Sequence, residues 1–467
     1  MSLFKHILTY FFVTIYFSIS PLFGQSGSEK PNFVLILADD LGYADLGYQG
    51  SNQIPTPNID RLAESGIVFT SAYVSSPVCS PSRAGLITGK NQLGFGFDNN
   101  LFPAQPGFDP DFVGLPLTET TLGDKLKSLG YTNGIIGKWH LGEKDHFYPT
   151  KRGFDEFWGF LGGGHDYFIE DPNDNNMKRP MQSTYKKPEP ITYLTDDIGD
   201  ECVDFIERHK NEPFFLYACF NAPHSPMQAP EEDLKLFSHI EDEMRRIYCA
   251  MVYRLDQNVG KILKTIEDEG LGNNTFVVFM SDNGGPTSFN GSVNAPLRGQ
   301  KTTVLEGGIR VPLIFRWPST LGKGDTVDDM VLSLDIFPTF VKAAGGTVSE
   351  DYNLRGIDLM PFLTGKTDII PHTSMEWKYT VSAAIRDGDW KLIRLPDRLP
   401  MLYNIEEDIS ELNDLSLQEL ERTKSMLKKL GTWDIFLPHP VFLEPNSWRT
   451  RQIKNYDKKY QLTQPEL

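Results

Sequence analysis

Cysteine is scarce. Four thiols, Cys79, Cys202, Cys219 and Cys249, serve 467 residues, too few to staple a disulfide-built scaffold. With Cys79 committed to chemistry, at most one bridge can form among the other three, and buried free thiols are the plain alternative. Positive charge is in deficit, with a formal net charge of −17. A chain this acidic has no general attraction for nucleic acid or an anionic surface, so an anionic substrate needs a local basic pocket. Internal repeats and heptads are absent, which excludes a solenoid and a coiled coil. Long apolar runs are missing too: the N-terminal stretch Ile7 to Ile19 is shorter than the ~20 residues of a spanning helix. Lys5 and His6 precede it and Ser20-Pro21-Leu22-Phe23-Gly24 follows. Residues 1–24 are therefore expected to be a cleaved export signal and not a membrane anchor, leaving a periplasmic or secreted mature protein.

What is present is ordinary in bulk, 40% hydrophobic and 23% charged, and long enough for a large domain plus a smaller one. Four apolar runs each stop at polar residues. Phe33 to Ala38 ends at Asp39-Asp40, and Gly134-Ile135-Ile136-Gly137 reaches Lys138-Trp139-His140. Phe214 to Phe220 leads to Asn221-Ala222-Pro223-His224, and Phe276 to Met280 to Ser281-Asp282-Asn283. Runs without alternation predict a parallel sheet covered on both faces. Helical spacing over Thr121–Leu129, closed by Gly130, and over Asp197–His209 predicts intervening helices. The sum is an α/β doubly wound fold, in which ligands sit outside the carboxyl ends of the strands. A single Asp pair after a strand is often just a cap or turn, but four such endings form a candidate site.

Cys79 opens the segment Cys79-Ser80-Pro81-Ser82-Arg83-Ala84-Gly85-Leu86-Ile87-Thr88-Gly89. It precedes a short helical stretch, where N–H groups and the helix dipole favour an anion. This segment resembles the signature of type I, formylglycine-dependent sulfatases of the alkaline phosphatase superfamily, and the wider motif set resembles bacterial polysaccharide sulfatases. Asp39, Asp40, Asp282 and Asn283 match that family's metal ligands, and Lys138 and His140 its Lys-x-His element. His224 matches its second His, Lys301 its second Lys, and Leu305-Glu306-Gly307-Gly308-Ile309-Arg310-Val311-Pro312 is also characteristic. The likeness extends from about residue 31 to about 415.

The resemblance implies a large, mostly parallel sheet sandwiched by helices, as in alkaline phosphatase, over 25–345. A smaller C-terminal antiparallel-sheet subdomain and tail follow over 346–467. Ser382 to Arg394, with short apolar runs around Asp387-Gly388, is the hairpin candidate there. It also implies a maturation enzyme that converts Cys79 to Cα-formylglycine, whose hydrate attacks sulfur with one hydroxyl and expels sulfate through the other. The matched oxygen donors suit Ca²⁺, with Mg²⁺ as the alternative, over zinc. Arg83 would hold the formylglycine, while Lys138 and Lys301 would clamp the sulfate. His140 would serve as the base for sulfate elimination and His224 as the acid for the leaving oxygen. His165 and Arg298 are expected to contact the substrate, a sulfated carbohydrate. The rival readings are a phosphonate or phosphate diester hydrolase with the same machinery, and an inactive sulfatase-like binding protein.

Overall fold

Strand β1 (Asn32–Ala38) has no polar face. Phe33, Leu35 and Leu37 enter one core while Val34, Ile36 and Ala38 enter another, because successive side chains leave a strand on opposite sides. Such a strand needs cover on both faces, and the architecture follows from that need. The computed structural model describes residues 30–102, 108–168, 181–187 and 190–462; the expected export signal lies outside them.

In chain order the next strands are β2 (Ile67–Phe69), β3 (Ala72–Tyr73), β4 (Thr132–Lys138), β5 (Glu156–Phe160), β6 (Gln182–Ser183) and β7 (Phe214–Cys219). They are followed by β8 (Thr275–Ser281), β9 (Leu313–Arg316), β10 (Asp325–Val327) and β11 (Val331–Leu332). A nine-stranded sheet runs β10-β2-β9-β8-β1-β7-β4-β5-β6. Its centre, from β8 to β5, is parallel throughout, and β9 and β6 join antiparallel on either side. Leu37 stands level with Cys219 and Met280, and Cys219 level with Gly137. All four polar endings thus leave the sheet at one edge.

Helices Leu194–His209 and Glu243–Asp268 cover one face, and helices Cys79–Thr88, Leu122–Ser128 and Ile336–Ala343 the other. The predicted helix after Thr121 is started by a reciprocal cap between Thr121 and Asp124. Among the described residues no helix is long and apolar enough to cross a membrane, and all four cysteines are free and buried.

A separate antiparallel sheet has the order β12 (Ser374–Tyr379), β13 (Ser382–Asp387), β14 (Trp390–Arg394) and β15 (Met401–Asn404). The predicted hairpin is β13–β14, turning at Gly388 with φ +61°. Met375, Trp377, Ala384 and Ile393 enter the core that also holds Leu35, so the small sheet packs onto the large fold. Its other face packs on Met426 and Leu430 of helix Leu420–Asp434. Trp377 Nε1 donates to the carbonyl of Val74 at 2.8 Å, fixing the chain five residues before Cys79.

Candidate active site

Asp39 and Asp40 follow β1, Lys138 ends β4 with His140 two residues on, Asn221 and His224 follow β7, and Asp282 and Asn283 follow β8. Helix Cys79–Thr88 meets this edge with Cys79 as its first residue and every residue buried. Cys79 Sγ lies 3.4 Å from Asp39 Oδ1 and 2.9 Å from Lys301 Nζ. Arg83, one turn on, leans back toward the helix start as helical side chains do. Its Nε donates to Asp282 Oδ2 at 2.9 Å and its Nη1 to the Lys138 carbonyl at 3.1 Å, with Nη2 3.7 Å from Asp39 Oδ2.

Asp39, Asp40 and Asp282 face Arg83, Lys138 and Lys301. Lys138 Nζ donates to Asp39, and Lys301 Nζ lies 2.7 Å from Asp40 Oδ1. Burial alone would raise the Asp39 carboxyl, but Lys138, His224, Arg83 and Lys301 together hold it far below the usual carboxylate range. Asp282 goes the other way, pushed up by burial and by the charge of Asp39. Burial and Asp39 also push the Cys79 thiol up. Burial opposes the Lys301 ammonium, yet Asp40 and its neighbours outweigh that and keep it charged.

The same cluster fits a divalent cation. Ligand atoms of Asp39, Asp40, Cys79 and Asp282 all lie within 4.8 Å of one another. Asn283 Oδ1 is a buried acceptor with no donor, while its Nδ2 donates to Asp40 Oδ1 at 2.7 Å. An amide oxygen left unpartnered beside clustered carboxylates is the donor set of a hard cation such as Ca²⁺ or Mg²⁺.

Three non-glycine residues of the site have left-handed backbone: Asp40 (φ +67°), His140 (φ +58°) and Thr302 (φ +76°). Such conformations persist only where the surroundings impose them. His140 Nε2 lies 3.2 Å from the Leu101 carbonyl and its Nδ1 is buried without a partner. Burial and the Lys138 charge hold its imidazole well below the ordinary value, leaving a neutral ring. His224 Nδ1 faces the Ser225 carbonyl at 2.6 Å, so Nε2, 3.6 Å from Asp40 Oδ2, looks into the site. Its pKa is likewise lowered, chiefly by burial. The Gly-Gly pair of the motif 305–312 allows a close crossing: Gly284 N–H donates to the Gly308 carbonyl at 3.1 Å, and a Cβ on Gly284 would stand 1.9 Å from the Gly307 carbonyl oxygen. That crossing holds the segment after Lys301 against the end of β8.

A model of the sulfatase family matches residues 31–346, and one for the C-terminal part of N-sulphoglucosamine sulphohydrolase matches residues 300–432. The chain belongs to the sulfatase family. N-acetylgalactosamine-6-sulfatase of Rattus norvegicus is 36% identical over 392 residues, covering 79% of this chain and 72% of the relative. Arylsulfatase J of Mus musculus is 34% identical over 403 residues, covering 80% of this chain and 66% of the relative, or about two thirds of its length. The solved structure of Ps i-CgsB in complex with k-i-k-neocarrahexaose is 37% identical with a TM-score of 0.84, covering 93% of this chain and 100% of that one.

Ten of the twelve residues singled out from the sequence converge at this sulfatase's strand edge, and the two expected substrate contacts are placed differently. His165 is buried, with Nδ1 2.7 Å from the Asp166 carbonyl and its ring against Phe160. Its own carbonyl accepts from Asn221 Nδ2 at 3.0 Å, so it adjoins the end of β7. Arg298 lies elsewhere: its Nη1 donates to the Glu411 carbonyl at 2.5 Å and its Nη2 to the Tyr460 carbonyl, so it clasps the C-terminal chain.

Sequence reasoning passed over a buried triad behind the site. Lys391 Nζ, fully buried in β14, lies 2.8 Å from Glu306 Oε1 and 2.9 Å from Glu411 Oε1. Glu411 Oε2 accepts the Glu306 N–H at 2.8 Å. Burial opposes ionisation of both acids; Lys391, Arg310 and Arg386 nonetheless bring Glu306 down, while Glu411 stays raised. A lysine in a strand ordinarily reads as solvent-facing, so no local signal marked it. Asn100 was also missed, though its Oδ1 accepts the Ser80 N–H at 3.1 Å beside Cys79.

Proposed function

We propose that this sulfatase hydrolyses sulfate esters on a sulfated oligosaccharide or polysaccharide, with residue 79 matured to formylglycine and a divalent cation, Ca²⁺ by preference, held by Asp39, Asp40, Asp282 and Asn283. The observation that carries the reading is the burial of Cys79 at a helix start among three carboxylates, Arg83, Lys138 and Lys301. Relatives named for N-acetylgalactosamine 6-sulfate chemistry and solved with neocarrahexaose support a sugar over a small aryl ester.

When bound, the cation supplies Lewis-acid polarisation of a sulfate oxygen. Maturation by a formylglycine-generating enzyme replaces the thiol by an aldehyde that can add water. Arg83 locks Asp282 and Asp39 and so fixes the side chain at 79. Lys138 and Lys301 meet the sulfate oxygens, where their charge counts most in a dry pocket. Neutral His140 takes a proton from the residue-79 side chain. His224, whose Nδ1–H is engaged by the Ser225 carbonyl, gives a proton from Nε2 to the leaving oxygen in its imidazolium form, with Asp40 3.6 Å away to favour that charge.

The test is peptide mass spectrometry across residue 79 on protein co-expressed with a maturation enzyme, alongside sulfate release from sulfated oligosaccharides. A loss of about 18 Da, thiol to aldehyde, with release that tracks the converted fraction, is expected. Full turnover by unconverted Cys79, or a higher kcat/KM on an aryl phosphodiester than on an aryl sulfate, overturns the reading.

A further inference from the structure

In a chain of net charge −17, the segment Asn446–Tyr460 runs the other way. It carries Arg449, Arg451, Lys454, Lys458 and Lys459 against one acid, Asp457, and that acid is already paired, Oδ1 lying 2.8 Å from Arg398 Nη2. Scattered surface lysines need no explanation. Here two of the cations, Lys459 and Arg451, are held in place by groups that do not neutralise them. Lys459 Nζ donates to Thr287 Oγ1 at 2.7 Å, to Ser288 Oγ and to Gln300 Oε1 at 2.6 Å, all neutral. Arg451 lies over two rings, 5.2 Å from the centroid of Phe289 and 5.4 Å from that of Trp448. Arg449 is exposed and lines a cavity of about 250 Å³ with Asp98 and Glu444, yet makes no ion pair with any described residue.

This face adjoins the site. Gln300, which receives Lys459, is the residue before Lys301, whose Nζ touches Cys79 Sγ; consecutive Cα atoms are only ~3.8 Å apart. Trp448 meets Phe102, whose neighbour Leu101 holds His140. Phe289 is 47% exposed and offers a sugar ring an apolar face.

We propose that Asn446–Tyr460 binds the sulfate groups that flank the one being cleaved, so that the substrate is a glycan bearing several sulfates near one another. This rests on the sulfatase reading above. Arg449, Arg451 and Lys459 pair with the flanking sulfates, while Phe289 and Trp448 stack on the sugar between them.

The test uses the full chain with Cys79→Ser, which binds without turnover, and a fluorescent iota-carrageenan hexasaccharide as probe. Arg449→Glu/Arg451→Glu should raise Kd at least tenfold and flatten its salt dependence, with an unchanged melting temperature. Lys454→Glu/Lys458→Glu, on exposed side chains, should act in the same direction and guards against a folding defect in the first pair. The chemically desulfated hexasaccharide should bind at least tenfold more weakly than the sulfated one. Unchanged Kd in both variants, equal binding of the desulfated sugar, or equally tight binding of single-stranded DNA or anionic vesicles overturns the proposal. Aryl sulfate turnover by the matured wild-type chain reports separately on the sulfatase reading, so the two can fail independently.

Discussion

Lys301 Nζ lies 2.9 Å from Cys79 Sγ although 222 residues separate the two. The same ammonium is 2.7 Å from Asp40 Oδ1, so one buried lysine links Cys79 to the acidic cluster. Its place depends on the crossing of Gly284 with Gly307 and Gly308, which anchors the chain just beyond it.

Lys301→Met is expected to lower kcat by about 10²–10³-fold, the scale of losing one preorganised charge donor. Lys301→Arg should not restore it, because a planar fork does not replace a point charge in this space. Steady-state kinetics on a sulfate ester checks both.

Gly163→Ala should cripple turnover with little loss of fold. A Cβ there would stand 2.7 Å from His140 Nε2, and a displacement of about 1 Å at a catalytic group can lower the rate about 10²-fold. Gly164→Ala, whose Cβ would meet His224 Cε1 at 3.3 Å, should be milder. Kinetics paired with melting curves separates the two, and equal effects would contradict the placement.

Lys391→Met removes the cation between Glu306 and Glu411 and strands two buried acids. Breaking a buried pair from one side costs about 3–5 kcal/mol. Adding Glu411→Gln should recover part of this, since that acid is already raised by burial. Denaturant unfolding of the single and double variants is the measurement.

Glu444 supplies a pH dependence away from the cation site. Burial pushes its carboxyl up to about 7 despite hydrogen bonds from Tyr379 and the Asn100 N–H. The ordinary value is 4.5, so the folded state favours the protonated form. That contribution is complete below pH 4.5 and is lost as pH rises through 7, at about 1.4 kcal/mol for each pKa unit. Glu444→Gln should therefore match wild type near pH 4.5 and be the more stable of the two at pH 8, read from denaturation midpoints.

Chelation should abolish turnover, and Ca²⁺ should restore it and raise the melting temperature with concentration, as any ligand of the folded state does. Asn283→Leu should weaken that thermal response, because it removes Oδ1, the buried acceptor left without a partner. A response identical to wild type would remove Asn283 from the ligand set.

The local chemistry of the chain determined the strands, their polar ends and the residues of the candidate site. Unbroken apolar runs demand cover on both faces, and that demand makes the sheet parallel and brings Asp39, Lys138, His224 and Asp282 to one side. Caps and turns were legible for the same reason: Gly130, which closes the helix with φ +82°, and Asp387-Gly388 act within a few residues of themselves. The tertiary structure alone decided which charges are spent on the fold. Arg298 reads from the sequence as a substrate contact, and the fold turns two of its N–H groups to carbonyls 113 and 162 residues away. Lys391 resembled any strand lysine until Glu306, 85 residues distant, met it in the core. Hydrogen-bond partners of this kind are set by the packing of distant segments, and no spacing in the sequence encodes them.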